Sequence, residues 1–158
     1  MLTVEDKQKV INTYSGTLHQ YGRNNSMGVH WSAYSTQQLR FQILSQIGDL
    51  NGKSVLDVGC GVGDFYGYLN RKNLNFEYLG IDITPEMIIE AKKKYPDGSF
   101  ELAEVSDIDT KFDYVFGSGV FTHRIDDYQK KYFDMIREMF EKLAVQPARN
   151  PEQHECLQ

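Results

Sequence analysis

Val55-Leu56-Asp57-Val58-Gly59-Cys60-Gly61-Val62-Gly63-Asp64-Phe65 decides the fold. It reads as a short buried strand, a glycine turn and the start of a helix. Glycines at alternate positions let the backbone turn with φ > 0 and approach a ligand with no Cβ in the way. The helix that follows directs its first free N–H groups, and the positive end of its dipole, at whatever sits on the turn. Asp57 ends the strand, where the crevice of an open parallel sheet would lie. A dinucleotide fingerprint requires G-x-G-x-x-G. Here Gly63 comes one residue early and Asp64 stands sixth.

Outward from this stretch, strands and helices alternate. On the N-terminal side, Val10, Ile11, Tyr14 and Leu18 mark one face of a helix over 4–18, followed by a loop from Tyr21 to Val29. A second helix opens at Ser35 or Thr36, with Leu39, Ile43, Leu44 and Ile47 as its inward stripe. Tyr14, Tyr21, Trp31 and Tyr34 are read as packing for these helices, with a substrate-pocket wall as the alternative. On the C-terminal side the expected strands are Ser54–Val58, Glu77–Ile83, Ser99–Ala103 and Asp113–Ser118. Thr84-Pro85 starts the helix between the second and third, a capping hydroxyl before proline at the first helical position. Met87, Ile88 and Ala91 turn inward there. A last helix begins near Asp126 and shows Tyr132, Met135, Met139, Phe140 and Leu143 on one face. This alternation predicts an α/β domain: an open, mainly parallel sheet with right-handed crossovers, flanked by helices.

Bulk properties narrow the function. The chain has 158 residues, a net charge of −5 and 13% aromatic residues, as expected of one packed domain rather than a nucleic-acid surface. Two cysteines, Cys60 and Cys156, form no metal spacing and no plausible disulfide, which fits a reducing cytoplasm. No apolar run is long enough to cross a membrane.

Asp82 ends the second strand, 19 residues after Gly63. A carboxylate there can accept hydrogen bonds from both hydroxyls of a ribose. Read alone, it is an acid at an exposed strand end; the glycine loop at the right distance favours the ribose role. Of the four histidines, His123 alone falls where a general base would be useful, just past the fourth strand, and a solvated loop histidine is its alternative. No His, Cys and acid combination recurs at a metal-binding spacing, so no metal is expected.

The stretch Val55–Gly63 resembles the first motif of class I S-adenosylmethionine-dependent methyltransferases: an apolar pair, an acid, an apolar residue, then G-x-G-x-G. The resemblance covers residues 31 to 143 and implies a Rossmann-like sheet ordered 3-2-1-4, with S-adenosylmethionine as cofactor and S-adenosylhomocysteine as its product. It implies that Gly59, Cys60, Gly61 and Gly63 carry the cofactor loop, that Asp82 holds the ribose and that Ile83 packs on the adenine. Glu104 would meet the adenine amino group, with a solvated acid in an acidic loop as its alternative, and Val105 would offer its backbone N–H. Asp57 would steady the loop and favour the cofactor's ammonium. Gly117 and Ser118 would line its methionine end, and Arg40, from an N-terminal helix, is a candidate for its carboxylate, with an ordinary surface arginine as the favoured alternative. The Asp/Asn/Ser-Pro-Pro-Tyr/Phe form of amino-methyltransferases is absent, so DNA-base methylation is not expected.

The resemblance ends at Leu143. The family's sheet has seven strands, whereas residues 144–158 carry two prolines and little apolar pattern. The expected layout is therefore one domain over 1–143, comprising a helical addition (1–53) and a cofactor core (54–143), with an irregular tail at 144–158. Truncation or a reading frame lost near Leu143 is the expected cause, with a naturally shortened gene product as the alternative. The sheet would be incomplete, its fourth strand an open edge prone to self-association. Three functions follow: a methyltransferase for a small molecule, its activity weakened by the missing strands; a non-catalytic module holding the cofactor or its product; and a nicotinamide-dependent oxidoreductase, disfavoured by the loop spacing.

Overall fold

The structure, a computed structural model, describes residues 2–22, 34–122 and 125–144. Trp31, His123 and the tail from 145 lie outside the described residues.

Four parallel strands form one sheet in the order β3-β2-β1-β4: β1 (Lys53–Val58), β2 (Phe76–Asp82), β3 (Ser99–Leu102) and β4 (Tyr114–Gly117). This is the expected order. The helices are α1 (Val4–Tyr21), α2 (Tyr34–Leu44), α3 (Asp64–Asn70), α4 (Pro85–Lys94) and α5 (Tyr128–Glu141). β1 runs at the centre, paired with β2 and β4, so both faces of Val55, Leu56 and Val58 are covered. Alternation then sends side chains to two cores. Val55 joins Phe41, Phe65, Tyr78, Ile88, Ala91, Phe100 and Phe116 on one face. Leu56 and Val58 join Ile81, Val105, Ile108 and Phe112 on the other, under Met135 and Met139 of α5.

Asp113 sets the β1–β4 register. Its carboxylate accepts from the Ser54 N–H (2.9 Å) and hydroxyl (3.0 Å), while its own N–H donates to Ser54 Oγ (3.0 Å). These bonds hold its pKa below the usual carboxylate range.

Three local expectations are corrected. On α2 the inward residues are Gln37 and Phe41, with Leu44 packed against the core; Leu39, Ile43 and Ile47 are exposed, and Ile47 lies beyond the helix. A purely aliphatic reading overlooks Gln37, which is buried because its amide donates to Asp64 Oδ2 (3.1 Å). On α5, Phe140 faces solvent while Met135 and Met139 face the core. At α4 the Thr84 hydroxyl makes no cap bond; its carbonyl accepts from the Met87 N–H instead.

After α5 the chain returns to the sheet. The Phe112 N–H donates to Lys142 O (2.8 Å) and the Ala144 N–H to Phe112 O (2.7 Å), forming a parallel bridge between Phe112 and Leu143. No helix among the described residues is long and apolar enough to cross a membrane.

Candidate functional site

At the carboxyl ends of the strands lies a cavity of about 370 Å³. It sits where the sheet order reverses between β1 and β4, the place where open parallel sheets bind ligands. Asp57, Gly59, Cys60, Gly61, Asp82, Ile83, Glu104, Val105, Ser118 and Arg40 all line it. Gly63 and Gly117 do not. Gly63 caps α3 in the left-handed region, and Gly117 packs against Met139. His123 lies outside the described residues.

The glycine loop turns through three positive φ values: +70° at Gly59, +55° at Gly61 and +78° at Gly63. A side chain is strained at each of them. At Gly59 a Cβ would also fall 2.1 Å from Val120 Cγ1. The loop spends its donors internally. The Gly59 and Cys60 N–H groups donate to Ile81 O (2.8 and 3.0 Å), and the Gly63 N–H to Cys60 O (3.0 Å). The Gly61 N–H donates to Asp82 Oδ2 (3.0 Å). These four therefore form no cradle of free N–H groups of the kind a pyrophosphate requires. With α3 only seven residues long, the expected donation from its N-terminus is also slight.

Asp82 is held by both oxygens, Oδ2 from Gly61 and Oδ1 from the Thr84 N–H (2.8 Å). Burial raises its pKa, and the two N–H bonds oppose that rise. Asp57 is nearly inaccessible, and Tyr78 Oη donates to its Oδ2 (2.6 Å). Burial pushes the Asp57 carboxyl up to about 7, partly opposed by the Tyr78 hydrogen bond and reinforced by the Asp82 charge. Burial, then the charges of Asp82 and Asp57, drive the Cys60 thiol pKa well up, so it stays a protonated, unreactive thiol. Among the described residues the buried Ser118 hydroxyl has no hydrogen-bond partner. Among the described residues no group of three or more His, Cys, Asp or Glu could hold a metal ion.

Tyr14 lines the cavity, as its pocket-wall alternative allowed, but most of the contacts that α1 and α5 make there were not legible in the chain. Helix α1 lies across the site: its Val10 and Tyr14 line the cavity, Lys7 pairs with Glu104, and Ser15 Oγ donates to Glu86 (2.9 Å). Asp6, at the start of α1, accepts from Lys131 of α5 (2.6 Å). Lys131, Tyr132, Met135 and Glu138 bring α5 to the wall. The Asp57–Tyr78 contact did have a signal. Asp57 pairs with Gly80, so Tyr78, two residues earlier on β2, shares its face beside a residue with no side chain.

The sheet order and the cavity at its reversal define a Rossmann-like domain. The sequence profile of the methyltransferase domain family matches residues 55–143, and the chain belongs to that family. It is 28% identical over 116 residues to the malonyl-[acyl-carrier protein] O-methyltransferase of Hamiltonella defensa, covering 72% of this chain and 41% of that protein. It is 32% identical over 85 residues to the trans-aconitate 2-methyltransferase of Afipia carboxidovorans, covering 48% and 32%. The chain thus spans less than half the length of the curated relatives it matches. Its fold superposes on magnesium protoporphyrin IX methyltransferase from Synechocystis PCC 6803, solved with bound S-adenosylmethionine. The TM-score is 0.65 at 19% identity, over 90% of this chain and 74% of that one.

Proposed function

We propose that the cavity binds S-adenosylmethionine and that the chain serves methyl transfer to a small-molecule acceptor. The observation that carries this reading is Asp82, clamped by the Gly61 and Thr84 N–H groups at the lip of the glycine loop, with lone pairs left for a ribose diol. Two further features fit the same ligand. Among the described residues the buried Ser118 hydroxyl lacks a partner, which a methionine end would supply. The near-neutral Asp57 carboxyl suits a site completed by a ligand ammonium. The loop's committed N–H groups favour a nucleoside without a pyrophosphate, which separates this reading from a nicotinamide dinucleotide.

When bound, the cofactor supplies a sulfonium-activated methyl group. The protein's share is alignment. Ile83 and Val105 would flank the adenine, Asp82 the ribose, Asp57 the ammonium, Ser118 the methionine end and Arg40 the carboxylate. Glu104 already pairs with Lys7, so α1 would close over the adenine end of the cavity.

Calorimetric titration with S-adenosylhomocysteine tests the reading. Micromolar binding is expected, weakened about tenfold or more in Asp82→Ala, because a charged hydrogen-bond acceptor is lost. Equal affinity in both proteins, or a preference for a nicotinamide dinucleotide, overturns it. Binding without methyl transfer to any acceptor would favour a non-catalytic cofactor-binding module.

A further inference from the structure

Lys131 presents a feature that cofactor binding does not use. Its side chain is only 15% exposed and lines the cavity, yet among the described residues its ammonium has a single partner, Asp6 Oδ2 at 2.6 Å. An ammonium carries three donors, and donors withdrawn from water need acceptors. Asp6 has donors besides Lys131, although the Lys131 hydrogen bond is the largest of the influences that hold its carboxyl well below the usual carboxylate range. The same Oδ2 also accepts from the Thr3 N–H (3.0 Å) and hydroxyl (2.7 Å). Asp6 does not itself line the cavity, so Lys131 stands between it and the open space.

The surroundings select the ligand. Tyr132 and Met135 on α5, and Val10 and Tyr14 on α1, make this wall largely apolar and aromatic. The other acids on the cavity wall are answered within the protein: Asp64 by Lys94 and Gln37, Glu104 by Lys7, Asp82 by two N–H groups and Asp57 by Tyr78. Glu138 is the exception among the described residues, and it lies seven residues along α5 from Lys131, about 10 Å. Two cations line the cavity among the described residues; Arg40 is assigned above to the cofactor's carboxylate, which leaves the Lys131 ammonium, with the Glu138 carboxylate two turns away. That pattern matches a compact monoanionic group at the Lys131 end and disfavours a dianionic phosphate.

Resting on the cofactor reading above, we propose that the acceptor is a small organic acid with an apolar body, its carboxylate received by the Lys131 ammonium beside Asp6. Lys131 is then the residue that selects acids over their neutral counterparts.

The test uses the chain saturated with S-adenosylhomocysteine and titrated with the monoanions benzoate, hexanoate and phenylacetate, each beside its neutral amide. Phenyl phosphate serves as the dianionic comparator. At least one acid is expected to bind about tenfold or more tightly than its amide. Lys131→Met should reduce that acid to the level of its amide while S-adenosylhomocysteine affinity stays within about twofold. Asp6→Asn, which removes the rival carboxylate, should tighten the acid. Lys131→Met combined with Asp6→Asn removes both charges together, so lost selectivity in that folded protein cannot be ascribed to a buried unpaired carboxylate.

The proposal is overturned if no acid binds, if acids and amides bind alike, or if phenyl phosphate binds more tightly than benzoate. It is equally overturned if Lys131→Met removes S-adenosylhomocysteine binding, which would make Lys131 a cofactor ligand. Absence of S-adenosylhomocysteine binding in the unmodified chain is a separate result, removing the cofactor reading and this proposal with it.

Discussion

At Asp57 the requirements of stability and of binding oppose each other. The carboxyl is buried beside Asp82, with the Tyr78 hydroxyl as its hydrogen-bond donor, and its pKa stands at about 7. In the unfolded chain it would titrate near its ordinary value of 3.8. The folded state therefore holds its proton more tightly, and stability from this group falls as pH rises from about 4 to 7. Asp57→Asn removes that penalty and keeps an acceptor for Tyr78, though its amide hydrogens need partners. Urea unfolding should show the variant more stable by roughly 2 kcal/mol at pH 8 and scarcely different at pH 4. Binding should move the other way. A cofactor ammonium requires the ionised carboxylate, so S-adenosylhomocysteine affinity should weaken as pH falls below about 7 in the unmodified protein. Asp82, also raised, contributes to the same slope, and the difference between protein and variant isolates Asp57. A variant that is less stable at pH 8, or equally pH-dependent in binding, would contradict this account.

The glycine loop is the element that joins the site to the core, and Gly63 is the joint. Its φ is +78°, and a Cβ there would lie 2.7 Å from Phe100 Cζ and 3.1 Å from Tyr95 Cδ2. Phe100 is buried among Tyr78, Cys60 and Tyr66, so its ring has little room to retreat. Gly63→Ala should therefore cost about 2–3 kcal/mol in thermal or urea unfolding, from strain and overpacking together. An unchanged midpoint would show that the ring moves aside freely. This element was legible before the structure because its geometry is local: a strand end, a tight turn and a helix start are written in neighbouring residues. Asp57 and Asp82 were readable for the same reason, each standing at the end of its strand. The helices that cover the cavity were not. Lys131 meets Asp6 across 125 positions, and Lys7 meets Glu104 across 97. Nothing in the local pattern of α1 or α5 announces either pairing. Gln37 was missed on α2 because a buried amide satisfied by Asp64 breaks the apolar periodicity that reveals an inward face.

Among the described residues the sheet has a covered side and an open one. β4 pairs with β1 along one edge, while on its other edge the described residues offer only the bridge from Leu143 to Phe112. Beyond that bridge, Tyr114–Gly117 have no strand partner there among the described residues. Phe133 and Phe140 of α5 are 69% and 68% exposed and add unpartnered apolar surface to the same molecule. Unpaired strand groups and exposed aromatic side chains together favour addition of another strand-bearing surface, and at high concentration the available one is a second copy of the chain. Sedimentation velocity across a concentration series should show reversible association. Phe133→Glu with Phe140→Lys should shift it toward monomer without lowering the unfolding midpoint by more than about 0.5 kcal/mol equivalent, since both side chains sit in solvent. The cavity lies at the carboxyl ends of the strands and not along the β4 edge, so S-adenosylhomocysteine affinity should be the same in the associated and monomeric forms. A chain that stays monomeric at every concentration would show that the β4 edge and these two phenylalanines are no attachment surface. Affinity that changes with association would instead make the second copy part of the site.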